Sequence, residues 1–331
     1  MAYLKEKAIS GKKYLYLTKS IRLPDGSVKT LQKLLKGDEG KAGLNALEPK
    51  YADFFVQKEK DAYVESALGK YKTDSVFTAA EIKKIEEIKA DYRRILKGLT
   101  KEQRKDVFDR FTANFTYESN AIEGNSLTLK DVAIVMFEKR AVEGKDLREI
   151  YETRNSREVM ERMLKNKFGI GEKDILSMHR MLMKNIDTRT GYKIIPNFIT
   201  GSTVKLALPE DVPREMNGLI EWHEKGAEKI HPLQLAALFH GKFERIHPFE
   251  DGNGRVGRFL SNIILMQNGY PPLIIRKSQR DSYIKCLEDF HRGYTTNLER
   301  FFLEKYKKTY RNFFAVYLKY VGSAKERAAK K

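Results

Sequence analysis

The chain has 331 residues, of which 41% are hydrophobic and 33% are charged, so it can bury the core of one large domain or of two small ones. Its net charge of +18 admits nucleic acid, anionic membranes and phosphorylated ligands as partners, although the basic residues are spread along the chain as on an ordinary solvated surface. The single cysteine, Cys286, excludes an intramolecular disulfide framework.

Two further patterns argue against a membrane anchor. The longest apolar run, residues 132–137, is far too short to span a bilayer. Lys5 and Lys7, near the start, are not followed by the apolar core of a signal peptide. Together with the lone cysteine, these features predict a cytoplasmic protein.

The first elements predicted are strands. Apolar residues alternate through residues 13–35, and the turn tripeptide Pro24-Asp25-Gly26 divides the pattern in two, which predicts a β-hairpin. Residues 36–75 are mixed, with a helix expected near residues 51–68. A basic hairpin could bind nucleic acid, but packing within the fold is the simpler interpretation.

Two helix starts follow. Thr78 with Glu81, and Thr100 with Gln103, have the spacing of capping boxes. Apolar residues then recur at helical spacing after each of them. From this point onward the pattern is predominantly helical.

Three later helices are expected over residues 174–185, 212–224 and 231–244, and residues 191–213 interrupt the helical pattern. His179 falls on the apolar face of the first of them, which is typical of a core histidine. His223, His231 and His240 lack carboxylate or cysteine partners at metal-ligand spacing, so no zinc site is predicted.

The densest chemistry lies in residues 247–258, which read HPFEDGNGRVGR. Apolar residues at helical spacing precede and follow this stretch, which predicts a tight loop between two amphipathic helices. Gly252 and Gly254 let backbone N–H groups approach a ligand closely. The first turn of the second helix is suited to binding phosphate.

The side chains of the same stretch fit such a ligand. Arg255 and Arg258 are three residues apart, so they would share a helical face and clamp anionic oxygens. Asp251 would tolerate a phosphate only with a hard cation such as Mg²⁺ between them, and His247 can accept a proton near neutral pH. Each feature alone is ordinary, but their occurrence within twelve residues predicts a phosphate-binding loop with a metal ligand and a base.

The stretch matches the pattern HPFx(D/E)GNGRxxR, and the chain thereby resembles the Fic (Fido) family over roughly residues 110–305. The resemblance implies a mainly α-helical Fido fold with a small β-hairpin flap, joined here to a small N-terminal β-element. Four regions are expected: a β-hairpin and mixed region, a helical region ending in an inhibitory helix, a catalytic core, and a C-terminal helix with a basic tail. Their ranges are 1–75, 76–125, 126–310 and 311–331.

The resemblance also implies a reaction, the transfer of AMP from ATP to a Ser, Thr or Tyr hydroxyl of a target protein. His247 would be the base and Asp251 the ligand of Mg²⁺. The backbone amides of residues 252–254, with the Asn253 side chain, would stabilise charge on the α-phosphate, and Arg255 and Arg258 would hold the β- and γ-phosphates. The residues expected to contact ATP, including the flap, are Phe198, Ile199, Thr200, Gly201, Asp251, Gly252, Asn253, Gly254, Arg255, Gly257, Arg258, Tyr283 and His291.

A second motif precedes this site. Residues 119–124, SNAIEG, are similar to the inhibitory motif (S/T)xxxE(G/N) of the family, at a helix end that Gly124 would cap. Judged by itself, a glutamate at this position is a solvated side chain. The resemblance implies instead that Glu123, in a motif that begins at Ser119, pairs with Arg258 and occupies donors that the γ-phosphate needs. Autoinhibition would then be built into the chain.

Two alternatives stay open. The same site in some relatives removes AMP or transfers another phosphate-bearing group. A protein of a different class would only sense ATP and bind nucleic acid, but sensing needs no base, so nucleic acid is the weaker expectation. The expected partner is a target protein with a hydroxyl group, a homodimer is a further candidate, and no membrane is expected.

Overall fold

The computed structural model describes residues 2–23, 26–198 and 204–321. The chain divides into two compact units, Met1–Ala90 and Asp91–Lys331. The first contains the only strands found among the described residues, and the second contains the motifs of residues 119–124 and 247–258.

The first unit is built on a three-stranded antiparallel sheet of β1 (Ala2–Ile9), β2 (Lys12–Arg22) and β3 (Val28–Leu34), in that order. The hairpin expected over residues 13–35 is confirmed as β2 and β3. Strand β1 was not predicted, because charged residues interrupt its apolar pattern. The turn residues Pro24 and Asp25 lie outside the described residues.

Two helices, α1 (Leu44–Lys50) and α2 (Ala52–Lys70), pack with this sheet. Leu17 and Ile21 of β2, Leu31 of β3 and Phe55 of α2 are buried in one apolar cluster, since alternate strand residues face the same side. The helix expected near residues 51–68 corresponds to α2.

Helices make up most of the rest of the described chain. The remaining α-helices are α3 (Ala79–Gly98), α4 (Lys101–Ile122), α5 (Leu129–Ala133), α6 (Leu147–Leu164), α7 (Glu172–Leu182), α8 (Val212–Gly226), α9 (Pro232–Ile246), α10 (Asn253–Gln267), α11 (Arg280–His291) and α12 (Thr295–Phe313).

Both predicted capping patterns are present. The N–H of Glu81 donates to Thr78 Oγ1 at 3.3 Å before α3. At α4 the bonds are reciprocal, because Gln103 N–H donates to Thr100 Oγ1 at 3.2 Å and Thr100 N–H donates to Gln103 Oε1 at 2.9 Å.

Helix α10 packs against α4, α7 and α9. Phe239 and Phe243 of α9, and Phe259 and Leu260 of α10, have no exposed surface. The loop between these two helices, residues 247–252, is therefore held at both ends by buried structure.

The predicted flap lies between α7 and α8. No strand occurs in the parts of it that the structure describes, residues 191–198 and 204–208. Ile199, Thr200 and Gly201 fall outside the described residues. Among the helices in the described ranges, none has the length and apolar character needed to cross a membrane.

Candidate active site

The loop of residues 247–252 begins and ends in left-handed backbone. His247 ends α9 with φ 50° and ψ 61°, and Gly252 precedes α10 with φ 82°. Left-handed backbone costs a residue with a side chain roughly 1–2 kcal/mol, whereas glycine adopts it freely. The conformation of His247 must therefore be held by contacts elsewhere in the loop.

Asn253 supplies one such contact. Its Oδ1 accepts from the N–H of Phe249 at 2.9 Å, and its Nδ2 donates to the Phe249 carbonyl at 2.7 Å. Asn253 is also only 2% exposed. The amide of Asn253 thus fixes the shape of the loop, and its predicted role in stabilising charge on a phosphate stays a prediction.

Phe249 anchors the middle of the loop. Its buried ring stacks on that of His179, with centroids 3.8 Å apart and planes 4° apart. His179 Nε2 lies 3.0 Å from the carbonyl oxygen of Asp251, to which it can donate. Burial lowers the pKa of His179 to about 4, which keeps the ring neutral. The prediction of a core histidine is confirmed, and the structure adds a role for it in supporting the loop.

His247 has the position and the protonation state that a general base requires. Its side chain is 20% exposed. Burial, followed by the charge of Lys193, lowers the pKa of His247 to about 4, so the imidazole is unprotonated at neutral pH. Lys193 is itself buried, and its N–H donates to the Pro248 carbonyl at 2.8 Å.

Arg258 joins the two sequence motifs. Its Nε donates to Ser119 Oγ and its Nη2 to the Ser119 carbonyl, both at 2.9 Å. The same Nη2 lies 2.6 Å from Oε1 of Glu123. Arg258 is buried while the Glu123 side chain is 39% exposed. Burial disfavours the charge of Arg258, but the ion pair with Glu123 leaves its pKa above the ordinary value.

Arg255 does not share this environment. It is 2% exposed, with Nη1 3.2 Å from Glu152 Oε1 and Nη2 3.3 Å from Asp251 Oδ1. Three residues advance a helix by less than one turn, and the two long arms reach different neighbours. The predicted clamp of Arg255 and Arg258 on one ligand is therefore not formed here. Arg255 instead connects Asp251 of the loop to Glu152 of α6.

Asp251, the predicted metal ligand, is engaged by cations of the protein. Arg148 of α6 donates to its Oδ2 and Arg255 to its Oδ1. Burial opposes ionisation of Asp251, but Arg255, the N–H of Gly252 and Arg148 together hold its pKa below the ordinary value. It is thus a carboxylate at neutral pH.

Gly257 and Tyr283 serve packing rather than ligand contact in this arrangement. A Cβ on Gly257 would lie 2.7 Å from Glu244 Oε1 and 2.8 Å from His240 Nδ1, so glycine lets α9 approach α10. Tyr283 is 1% exposed and its hydroxyl lies 2.6 Å from His240 Nε2. Neither expectation of ATP contact fits this burial. His291 ends α11 half-buried, and its contact with ATP stays a prediction.

Phe198 is the described residue of the predicted ATP-contacting part of the flap, and it is 88% exposed. The side chain of Asn197, beside it, donates to the Phe249 carbonyl at 2.9 Å and so connects the flap to the loop. A role for Phe198 in covering adenine stays a prediction.

Sequence reasoning missed Glu152, Arg148 and Glu244. The first two lie on α6, about a hundred residues before the loop, so no local spacing indicates them. Glu244 is the last residue of the helix expected over residues 231–244 and lies only three residues before His247. That spacing was a usable signal.

The comparisons agree with this geometry. Residues 169–265 match the Fic/DOC family. The chain is 35% identical over 182 residues to the protein adenylyltransferase Fic of Nematostella vectensis, a match that covers 54% of this chain and 43% of that protein. It is 36% identical over 198 residues to the protein of the same name from Drosophila virilis, covering 58% of this chain and 41% of the relative. The chain thus spans less than half the length of these curated relatives.

The fold has a solved counterpart as well. A Fic domain containing signaling protein from Bacteroides thetaiotaomicron superposes with a TM-score of 0.61 at 27% identity, covering 72% of this chain and 97% of that one. The predicted resemblance and the mainly helical fold are confirmed. Residues 169–265 of this chain are therefore identified as a region similar to the Fic/DOC family.

Proposed function

We propose that the protein transfers AMP from ATP to a hydroxyl group of a target protein, and that Glu123 restrains this reaction. The observation that carries the proposal is the placement of an unprotonated His247 one short loop before the start of α10. The similarity to proteins named adenylyltransferase supports the choice of AMP as the transferred group.

The chemistry follows from the positions of these groups. His247 takes the proton of the target hydroxyl as its oxygen bonds to the α-phosphorus, and the bond from that phosphorus to the β-phosphate bridge breaks to release pyrophosphate. The free backbone N–H groups at the start of α10 stabilise negative charge on the phosphates. Arg258 supplies a buried cation for the terminal phosphates.

The donor set at Asp251 fits Mg²⁺. This ion is commonly held by one or two carboxylates together with substrate phosphates, and Asp251 is an ionised carboxylate with a 36% exposed side chain. Within the described ranges, no group of three His, Cys, Asp or Glu residues forms an all-protein cage. Asp251 would therefore hold the ion, which would neutralise phosphate charge, and Arg148 would have to release Oδ2.

The restraint by Glu123 is a matter of competition. Its carboxylate accepts a hydrogen bond from Nη2 of Arg258. Ser119 accepts from Nε through its hydroxyl and from the same Nη2 through its carbonyl. Because the carboxylate is negative and lies at the start of α10, it also repels an incoming phosphate. ATP would bind in a displaced pose until Glu123 withdraws.

Comparing wild type with Glu123→Gly tests both parts of the proposal. With ATP labelled on its α-phosphate, we expect wild type to be nearly silent and the variant to label itself or proteins of a lysate. Glu143→Gly, which changes an exposed glutamate in a turn, is the matched control and should behave as wild type. Equal labelling by all three proteins would show that Glu123 does not restrain the reaction.

The base is tested in the released background. His247→Ala combined with Glu123→Gly should lower labelling by roughly 10²–10⁴ or more, because general base catalysis contributes that much. Persistent labelling would exclude His247 as the base. No labelling by Glu123→Gly on any protein, together with release of AMP from a modified target by wild type, would favour the reverse reaction.

A further inference from the structure

Three titratable side chains with little exposed surface lie near the C-terminal end of α9. His240 and Glu244 are four residues apart on one face of this helix, and His247 follows it as the capping residue in left-handed backbone. His240 has no exposed surface, Glu244 is 5% exposed, and the His247 side chain is 20% exposed. Oε2 of Glu244 lies 3.8 Å from His247 Nδ1, and Oε1 lies 3.9 Å from His240 Nε2.

Glu244 and His247 each have a buried polar atom without a hydrogen-bond partner among the described residues. In His247 it is Nδ1, the atom that lies toward Oε2 of Glu244, and in Glu244 it is the other carboxyl oxygen, Oε1. His240 is the poorer partner for the carboxyl group, because its Nε2 already lies 2.6 Å from the Tyr283 hydroxyl. A buried polar group without a partner destabilises the folded chain, so a hydrogen bond between Glu244 and His247 is favourable.

We propose that Glu244 is a positioning residue for His247, accepting a hydrogen bond from Nδ1–H so that Nε2 is left unprotonated toward the target hydroxyl. The role of this bond in the reaction rests on the proposed function, whereas the orientation of the ring can be measured without any reaction. A rotation of the ring or one bridging water brings the two groups into hydrogen-bond range. The notch left by Gly257 gives the carboxyl group room, since a Cβ there would lie 2.7 Å from Oε1.

A hydrogen bond to Glu244 would affect both the tautomer of His247 and the stability of its protonated form. A neutral imidazole carries one N–H, and a proton on Nδ1 leaves the lone pair of Nε2 available as the base. When Nε2 takes the hydroxyl proton, the ring becomes imidazolium and the carboxylate behind it stabilises that charge. The proton later leaves with solvent, and the ring and carboxylate return to their starting state.

The surrounding charges connect this pair to the restraint. Burial raises the pKa of Glu244 to about 8, Arg258 opposes the rise, and the charge of Glu123 adds to it. Other titratable groups nearby are Lys193 and His291, which face His247 from the flap and from α11, and the buried His240 and Tyr283. Removing Glu123 therefore favours the ionised form of Glu244, which orients His247. The same change also frees Arg258 from its ion pair.

The tautomer can be observed without any transfer reaction. The chain has six histidines, and ¹⁵N-labelled imidazole signals of His247 are identified by their loss in His247→Ala. In the Glu123→Gly background at pH 8.5, we expect Nδ1 to be protonated and Nε2 unprotonated. Glu244→Gln should shift His247 toward the Nε2–H tautomer, while Glu221→Gln, an exposed change on α8, should leave it unchanged. An Nε2–H tautomer before the substitution, or no change after it, would overturn the proposal.

Kinetics give the second readout. In the same background, Glu244→Gln should lower kcat by about 10- to 10³-fold, below the effect of removing the base itself, with KM for ATP unchanged. Loss of kcat accompanied by an equal rise in KM would indicate a general disturbance of the site and contradict the assignment. If no variant transfers AMP, the proposed function fails while the tautomer measurement still decides the role of Glu244.

Discussion

Gly254 and Glu123 occupy the same small space at the start of α10. A Cβ placed on Gly254 would lie 2.2 Å from Glu123 Oε1 and 2.9 Å from Arg258 Nη1. A non-bonded carbon atom does not approach a carboxylate oxygen that closely, so the ion pair between Glu123 and Arg258 requires that residue 254 has no side chain. The restraint is thus a packing relationship as well as an electrostatic one.

Gly254→Ala should therefore expel the carboxylate of Glu123 from Arg258. Because the added methyl group also lies where the phosphates must approach the helix start, we expect no gain in transfer from this displacement. Labelling by Gly254→Ala should remain as low as in wild type, and ATP binding measured by calorimetry should weaken about tenfold or more. Combining it with Glu123→Gly should leave labelling low. If the double variant labels as strongly as Glu123→Gly alone, residue 254 does not border the phosphate site.

Asn253→Ala should loosen the loop that carries His247. The change removes both bonds to the Phe249 backbone and leaves its N–H buried without a partner, at roughly 1–3 kcal/mol if water does not replace the bond. The Phe249 carbonyl keeps the hydrogen bond from Asn197. In the Glu123→Gly background, we expect transfer to fall by about 10- to 100-fold, because a misplaced base loses much of its effect. Labelling rates and urea denaturation measure the two effects.

The chain supplies a close control on the same helix. Asn262 holds Leu273 in the same way, accepting from its N–H at 2.8 Å and donating to its carbonyl at 3.0 Å. Asn262→Ala should cost similar stability without the comparable loss of transfer. Equal losses of transfer in both variants would mean that Asn253 acts only through global stability.

Arg148→Ala should make Asp251 easier to occupy by a cation. The guanidinium group competes for Oδ2, so without it the Mg²⁺ concentration for half-maximal ATP binding should fall about two- to tenfold. Arg154→Ala, an exposed change on the same helix, is the control. An unchanged or higher requirement for Mg²⁺ would show that Arg148 does not compete with the ion.

Local patterns predicted the elements and the motifs well. Capping boxes at Thr78 and Thr100, apolar spacing on either side of residues 247–258, and the position of Gly124 all depend on neighbours within a few residues. The pairing of Glu123 with Arg258 was accessible only through the resemblance, because 135 residues separate them.

The roles of individual side chains were harder to predict than their presence in the site. Asn253, Arg255 and Gly257 carry polar or glycine signatures that suit a phosphate, yet they are used to hold the loop and to pack α10 against α9. Whether such a residue contacts a phosphate or holds the loop depends on how deeply it is buried. Its burial depends in turn on which helices pack against the motif. A single sequence pattern contains no such information.

Stability should depend on pH with two opposing slopes. Burial lowers the pKa of His179 to about 4 and of His240 to about 3, against 6.5 in the unfolded chain. As the pH falls below 6.5, these rings bind protons in the unfolded chain but not in the folded chain. The free energy of unfolding therefore falls by about 1.4 kcal/mol per pH unit for each ring. Glu244 acts in the other direction, because its folded pKa of about 8 exceeds the ordinary 4.5. The folded chain keeps a proton that the unfolded chain loses, so stability falls as the pH rises from 4.5 to 8.

Wild type should consequently be most stable near pH 6.5 and lose stability on both sides of it. Glu244→Gln removes the group responsible for the decline at higher pH, so its stability should stay level between pH 6.5 and 8 and fall more steeply than that of wild type below 6.5. Urea denaturation at half-unit steps from pH 4.5 to 8 measures both slopes, with Glu221→Gln expected to follow wild type. A wild-type curve that rises through pH 8, or a Glu244→Gln curve parallel to it, would show that Glu244 is ionised throughout this range and that Arg258 outweighs its burial.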